Sequence, residues 1–123
     1  MKYLCLGYHD VKKWEEMPDG QRNSLLADTF AYQSLLEKGG HVLDARGLLD
    51  DGAATLRFVT GGKMTVTEGP FAETKEQLGG VMVLEADDLN HAIQLMSKLP
   101  CMRVGGTLEI RPINENLQSQ EQR

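Results

Sequence analysis

The sequence predicts an α+β domain of the ferredoxin-like kind, a sandwich in which an antiparallel sheet carries two helices on one face. Two observations carry that prediction. The segments run in the order strand, helix, strands, strand, helix, strand. Within the strands, Leu56 and Phe58 alternate with Arg57, Leu108 and Ile110 with Glu109 and Arg111, and Met82 and Leu84 fall out of phase with Glu85. One face is therefore apolar and suited to helices, while the other mixes charge with Val81 and Val83. Antiparallel sheets allow one wet face, but this mixture is that of a cleft or a subunit contact. The expected assembly is a homodimer packed sheet against sheet.

Each element has its own local signal. "MKYLCLGYHD" opens with strand formers over Met1 to Tyr8, and the breakers of "MPDG" make Asp10 to Gly20 a turn region. Between Gln21 and Lys38, Leu25, Ala31, Tyr32, Leu35 and Leu36 share a helical arc with Leu26 and Phe30 beside it, and Gly39-Gly40 stops the helix. "HVLDARGL" and "ATLRFVT" read as strands around the turn-forming "DDGA", and "GGK" as a tight hairpin into "MTVTEG", so three successive strands are expected to pair antiparallel. "VMVLEADD" is a further strand. Asp87 or Asp88 caps a helix with Leu89, Ala92, Ile93, Met96 and Leu99 at helical spacing, closed by Pro100. "TLEIRPI" alternates as the last strand. The expected organisation is one domain over 1–113, followed by a polar, frayed tail over 114–123.

Composition excludes several function classes. The chain has 123 residues, with thirteen Lys and Arg against eighteen Asp and Glu for a formal charge of -5. Without a basic stripe, no nucleic-acid partner is expected. The opening apolar run is too short for a membrane span or signal peptide, so no membrane association is expected. Cys5 and Cys101 lack CxxC spacing and read as reduced structural thiols of a cytoplasmic protein. The three histidines, His9, His41 and His91, are scattered, so neither a metal nor another cofactor is expected.

"EGPFAETKEQLGG", preceded by "GGKMTVT", resembles the DGPF motif of the YCII-related family, and the opening "MKYLCLGYHD" and closing "LEIRPI" are similar to that family's ends. The resemblance implies a dimeric α/β-barrel of ferredoxin-like protomers and no established reaction. The first motif residue, usually Asp, is Glu68 here. Another branch of the family carries a His on its first helix, proposed with an Asp as an acid-base pair. Aligned on Gly47, that position falls at or near Phe30, and Gln21 to Lys38 contains no His, so the pair does not carry over.

In the motif, Gly69-Pro70 sets a bend and Phe71, the one large apolar side chain between Val66 and Leu78, is expected to be buried and to pin the loop. Gly79-Gly80 suits a hinge or a close backbone approach. Glu68, Glu73 and Lys75, with Arg46 and Arg111, are the candidate contacts for a small polar ligand. His9-Asp10 is a candidate acid-base pair, although neighbours on a strand point to opposite faces, which favours a turn-capping role. Asp28 falls inside the apolar arc of the first helix, where a carboxylate requires a partner, and is a weaker site or dimer-contact candidate. Asp44 and Arg46 share a face and are expected to pair with Glu109 or Arg111 across the sheet. His41 and His91 are expected at the surface. Three functions follow: a small dimeric ligand-binding or accessory module; a cofactor-independent enzyme using His9, Asp10, Glu68 and Arg111; or, as the resemblance implies, a partner of a sigma-factor-type transcription regulator.

Overall fold

The computed structural model describes residues 1–72 and 74–117. Strand β1 (Lys2–Asp10) leads into helix α1 (Val11–Glu16) and helix α2 (Asp19–Lys38). Strands β2 (Val42–Gly47), β3 (Ala54–Val59), β4 (Lys63–Glu68) and β5 (Glu76–Glu85) follow. Helix α3 (Leu89–Met96), a 3-10 helix (Pro100–Val104) and strand β6 (Thr107–Pro112) complete the order.

The main sheet has the order β2-β5-β1-β6, every pair antiparallel. Tyr3 and Cys5 of β1 and Leu84 of β5 point to the helices and form the core with Leu36, Val42, Ala92 and Met96. Leu84 is wholly buried, which stabilises by about 1.5–3 kcal/mol. Asp88 caps α3, its Oδ1 accepting from the His91 amide at 2.8 Å. Buried Pro100 begins the 3-10 helix that takes the chain to β6.

Four expectations change. Asp10 to Gly20 is not a plain turn: the Asp10 side chain accepts from the Lys13 amide at 3.2 Å and starts α1, which ends before Pro18. The buried line of α2 is Leu25, Tyr32 and Leu36, at least half-buried, while Phe30, Ala31 and Leu35 are exposed. The arc is narrower than the sequence suggests because only one flank of α2 meets the sheet. Strands β3 and β4 pair with each other around Gly61 and Gly62, both at positive φ, but β2 pairs with β5 instead, so the hairpin is a separate two-stranded sheet. His41 and His91 are half-buried and packed edge to face, with centroids 5.2 Å apart.

The charged pairs also differ from expectation. Strands β2 and β6 are opposite edges of the sheet, so Asp44 and Arg46 cannot reach Glu109 and Arg111. Arg46 Nε lies 3.3 Å from Asp44 Oδ1, and Arg111 lies 3.9 Å from Glu109, each pair within its own strand. The sheet face away from the helices thus has Leu4, Leu6, Val81 and Val83 along its two central strands, with these ion pairs at its edges. At the C-terminal end, Asn114 Oδ1 accepts from the Leu117 amide at 3.0 Å and starts a helical turn. The rest of the expected tail, 118–123, lies outside the described residues.

Candidate functional site

A cleft of about 790 Å³ opens between the helix side of the sheet and helices α1 and α2. Its floor is explained by three glycines. Gly7 pairs with Gly80, and Gly80 with Gly47, so one row across β1, β5 and β2 carries no side chains where its neighbours carry Cys5, Met82 and Ala45. A Cβ at Gly47 would meet no atom within 4 Å. Trp14, Met17, Leu26 and Phe30 wall the opposite side, and Met82, Met96 and Met102 add flexible, polarisable surface.

The polar end is built around His9, which follows the glycine row on β1. Its Nε2 lies 3.2 Å from Asp50 Oδ1. The side chains are 27% and 34% exposed, so the pair is shielded yet reachable from solvent. Trp14 stands edge-on to the imidazole with centroids 6.3 Å apart. On the other side the ring edge lies over Gly79, where any Cβ would collide with Nδ1 and Cε1. The register between β1 and β5 slips between Gly7 and Tyr8, leaving Gly79 beneath His9 as an extra residue with no partner on β1, its carbonyl accepting from the Leu48 amide instead. Where the sequence suggested a hinge or a close backbone approach into a strand, Gly79 and Gly80 lie within β5, and it is the His9 ring that packs over Gly79.

Of the other candidates, Asp10 caps α1 and stands 3.9 Å from the Lys75 ammonium, both at the cleft. Arg46 borders the cleft, but its guanidinium is turned to Asp44 on the far face. Arg111 lies on the far face as well, and Glu68 ends the exposed β4, so neither joins the cleft. Asp28 is exposed outside it and paired with Arg103 at 2.9 Å, which supplies the partner its position requires. Glu73 lies outside the described residues. Gly69, at φ +100, makes the expected bend with Pro70. Phe71 is a correction. It is 76% exposed in the protomer and pins nothing, with the Arg57 guanidinium 5.4 Å from its ring centroid.

Sequence reasoning missed Asp50 and Trp14. Asp50 reads locally as a turn residue, and nothing local brings it to His9. Trp14, the single tryptophan, lies four residues after the Asp10 cap of α1, inside a stretch that reads from its breakers as a turn. Burial pushes the Cys5 thiol up to about 11 and raises that of Cys101, which disfavours the thiolate at both. Among the described residues, no three His, Cys, Asp or Glu side chains gather as metal ligands, and no helix is long and apolar enough to cross a membrane.

This chain, with helices α2 and α3 on one face of an antiparallel β2-β5-β1-β6 sheet and a cleft between the layers, has a ferredoxin-like α+β fold. The sequence pattern of the YCII-related domain matches residues 1–116, and the chain belongs to that family. An uncharacterised protein of Rhizobium meliloti (strain 1021) is 31% identical over 115 residues, covering 92% of each chain. Among solved structures, the 5-chloro-2-hydroxyhydroquinone dehydrochlorinase of Burkholderia phenoliruptrix, in complex with 2,5-dihydroxybenzoquinone, is similar with a TM-score of 0.58 at 15% identity, over 93% of this chain and 94% of that one. At that identity the likeness concerns the fold.

Proposed function

We propose that this protein is a homodimer that binds a small cyclic organic molecule in the cleft and moves a proton on it through His9. The observation that carries the reading is the His9–Asp50 pair at the polar end of an otherwise apolar cleft. With Asp50 accepting from Nε2–H, the ring's remaining lone pair is on Nδ1, at the edge that rests over Gly79. Lys75 is matched by Asp10 and Arg46 by Asp44, and Lys13 shares the lining with Glu16 and Glu76, so the cleft offers no concentrated positive charge. A weakly acidic hydroxyl or carbon acid suits it better than a phosphate. The similar dehydrochlorinase holds a hydroxylated quinone, a molecule of that kind. The homodimer is supported by the apolar stripe of Leu4, Leu6, Val81 and Val83 on the uncovered face, with charged edges as in a subunit interface.

Trp14 reports on the cleft. Titration with 2,5-dihydroxybenzoquinone is expected to quench its fluorescence saturably, and Gly47→Leu, which fills the glycine row, is expected to abolish the effect without unfolding the chain. His9→Gln should weaken binding about tenfold, the loss of one charge-assisted hydrogen bond. It should also stop any exchange of the probe's ring hydrogens with deuterated solvent. Equal quenching in all three proteins would place the probe elsewhere and refute the reading.

A further inference from the structure

We propose that the β3–β4 hairpin is an arm that docks its apolar face on a second copy of this chain, and that this docking holds Asp50 and Lys75 at the cleft of the protomer from which the arm springs. The proposal rests on the homodimer proposed above. Leu56 faces Val66 and Phe58 faces Met64, so four large apolar side chains share one face of the hairpin. All four are exposed, Phe58 by 72%. Thr55, Arg57, Thr65 and Thr67 occupy the reverse face, where Arg57 meets Phe71. Of the twelve strand residues all but Thr55 are exposed.

A two-stranded hairpin is marginal in water by itself, and here two further bonds close its base. The Gly69 amide donates to Ala53 O at 2.7 Å, and Thr55 Oγ1 donates to Gly69 O at 2.9 Å. The arm and its Gly69 bend thus form one stiff unit whose apolar face the protomer leaves uncovered. The second copy follows from area and reach. Four strands about 4.8 Å apart, the central two paired over nine residues and the edges over five or six at about 3.3 Å each, present a flat face of about 480 Å². A standard interface buries about 800 Å² per partner. The sheet stripe alone falls short, and the four exposed apolar side chains of the arm supply further area. At six residues per strand it is about 20 Å long, the width of a four-stranded sheet. Two-fold symmetry then covers both arms in one assembly. The segments joining the arm to the body carry Asp50 on the way out and Lys75 on the way back, and both line the cleft. Fixing the arm fixes them.

Sedimentation velocity across a dilution series, with amide hydrogen exchange of the hairpin and of residues 48–53, tests the proposal. Phe58→Glu and the milder Val66→Thr are expected to raise the dimer dissociation constant at least tenfold and slightly less, respectively. Both should accelerate exchange in both segments while the main sheet stays protected. Thr65→Glu, on the reverse face, should match the wild type. A monomeric wild type would overturn the dimer and this proposal together. A dimeric wild type whose constant is unmoved by Phe58→Glu and Val66→Thr would overturn the arm alone, as would faster cleft exchange with an unchanged constant, which would mark the hairpin as a lid over its own protomer.

Discussion

Gly79→Ala is the sharpest test of how the site is built. The added methyl would lie on Nδ1 and Cε1 of His9, well inside the 3.0 Å that real side chains keep from their neighbours. An ordinary contact is near 3.5 Å, so the imidazole must withdraw by about 1 Å or leave its rotamer. Either movement breaks the 3.2 Å contact with Asp50. An off-rotamer side chain costs about 0.5–1.5 kcal/mol and the half-exposed hydrogen bond about 0.5–1.5 kcal/mol. Replacing Gly with Ala in a strand returns about 0.5–1 kcal/mol. The net expectation is a destabilisation of about 0–2.5 kcal/mol, together with loss of probe binding. Gly47→Ala is the matched control, because its methyl enters open space; it should be neutral or stabilise by up to about 1 kcal/mol. Urea midpoints read from Trp14 fluorescence, with the His9 ring resonances followed by NMR, compare the two. If Gly79→Ala keeps the wild-type midpoint and an unshifted His9 spectrum, the seat of the imidazole is misassigned and the reasoning fails.

Two further expectations follow from burial. Cys5 has its thiol pushed up to about 11 from an ordinary 9.0, so its contribution to stability is complete below about pH 9 and declines as pH rises towards 11; urea midpoints from pH 8 to 11 should fall, and the part of that fall due to this thiol should vanish in Cys5→Ala. Phe71→Ala should cost only about 0.5–1 kcal/mol, the size of an exposed cation–π contact, and a loss of 3 kcal/mol or more in thermal unfolding would show that the ring is buried in solution.

What was legible in the sequence was local. The Asp88 cap, the α3 periodicity, the Gly61-Gly62 turn and the alternation that separates Val81 and Val83 from Leu84 each depend on residues a few positions apart. Together they were enough for the fold class. The misreadings concern partners distant in the chain. Alternation placed Arg46 and Arg111 on one face, but it does not say that β2 and β6 are opposite edges. The hairpin was recognised, but not its separation from the main sheet. In the site, Gly79 signalled a close approach without naming the approaching group, and Asp50 gave no hint of a histidine 41 positions earlier. Phe71 was misjudged because apolar character in a polar loop suggests burial, whereas only the packing around it decides.

The extra residue at Gly79 also changes the parity of β5. Counted by twos from Leu84, Leu78 should belong with the core. Because Gly79 is skipped in the ladder, Leu78 stands opposite Tyr8 and shares the outer face with Val81 and Val83. One inserted glycine therefore seats the imidazole on the inside of the sheet and supplies a leucine to its outside. The backbone that a bound molecule would press through His9 is continuous with the surface where a second subunit is proposed to rest. If the ring shifts when the cleft fills, ligand affinity and subunit association become linked, and each must then alter the other by the same factor.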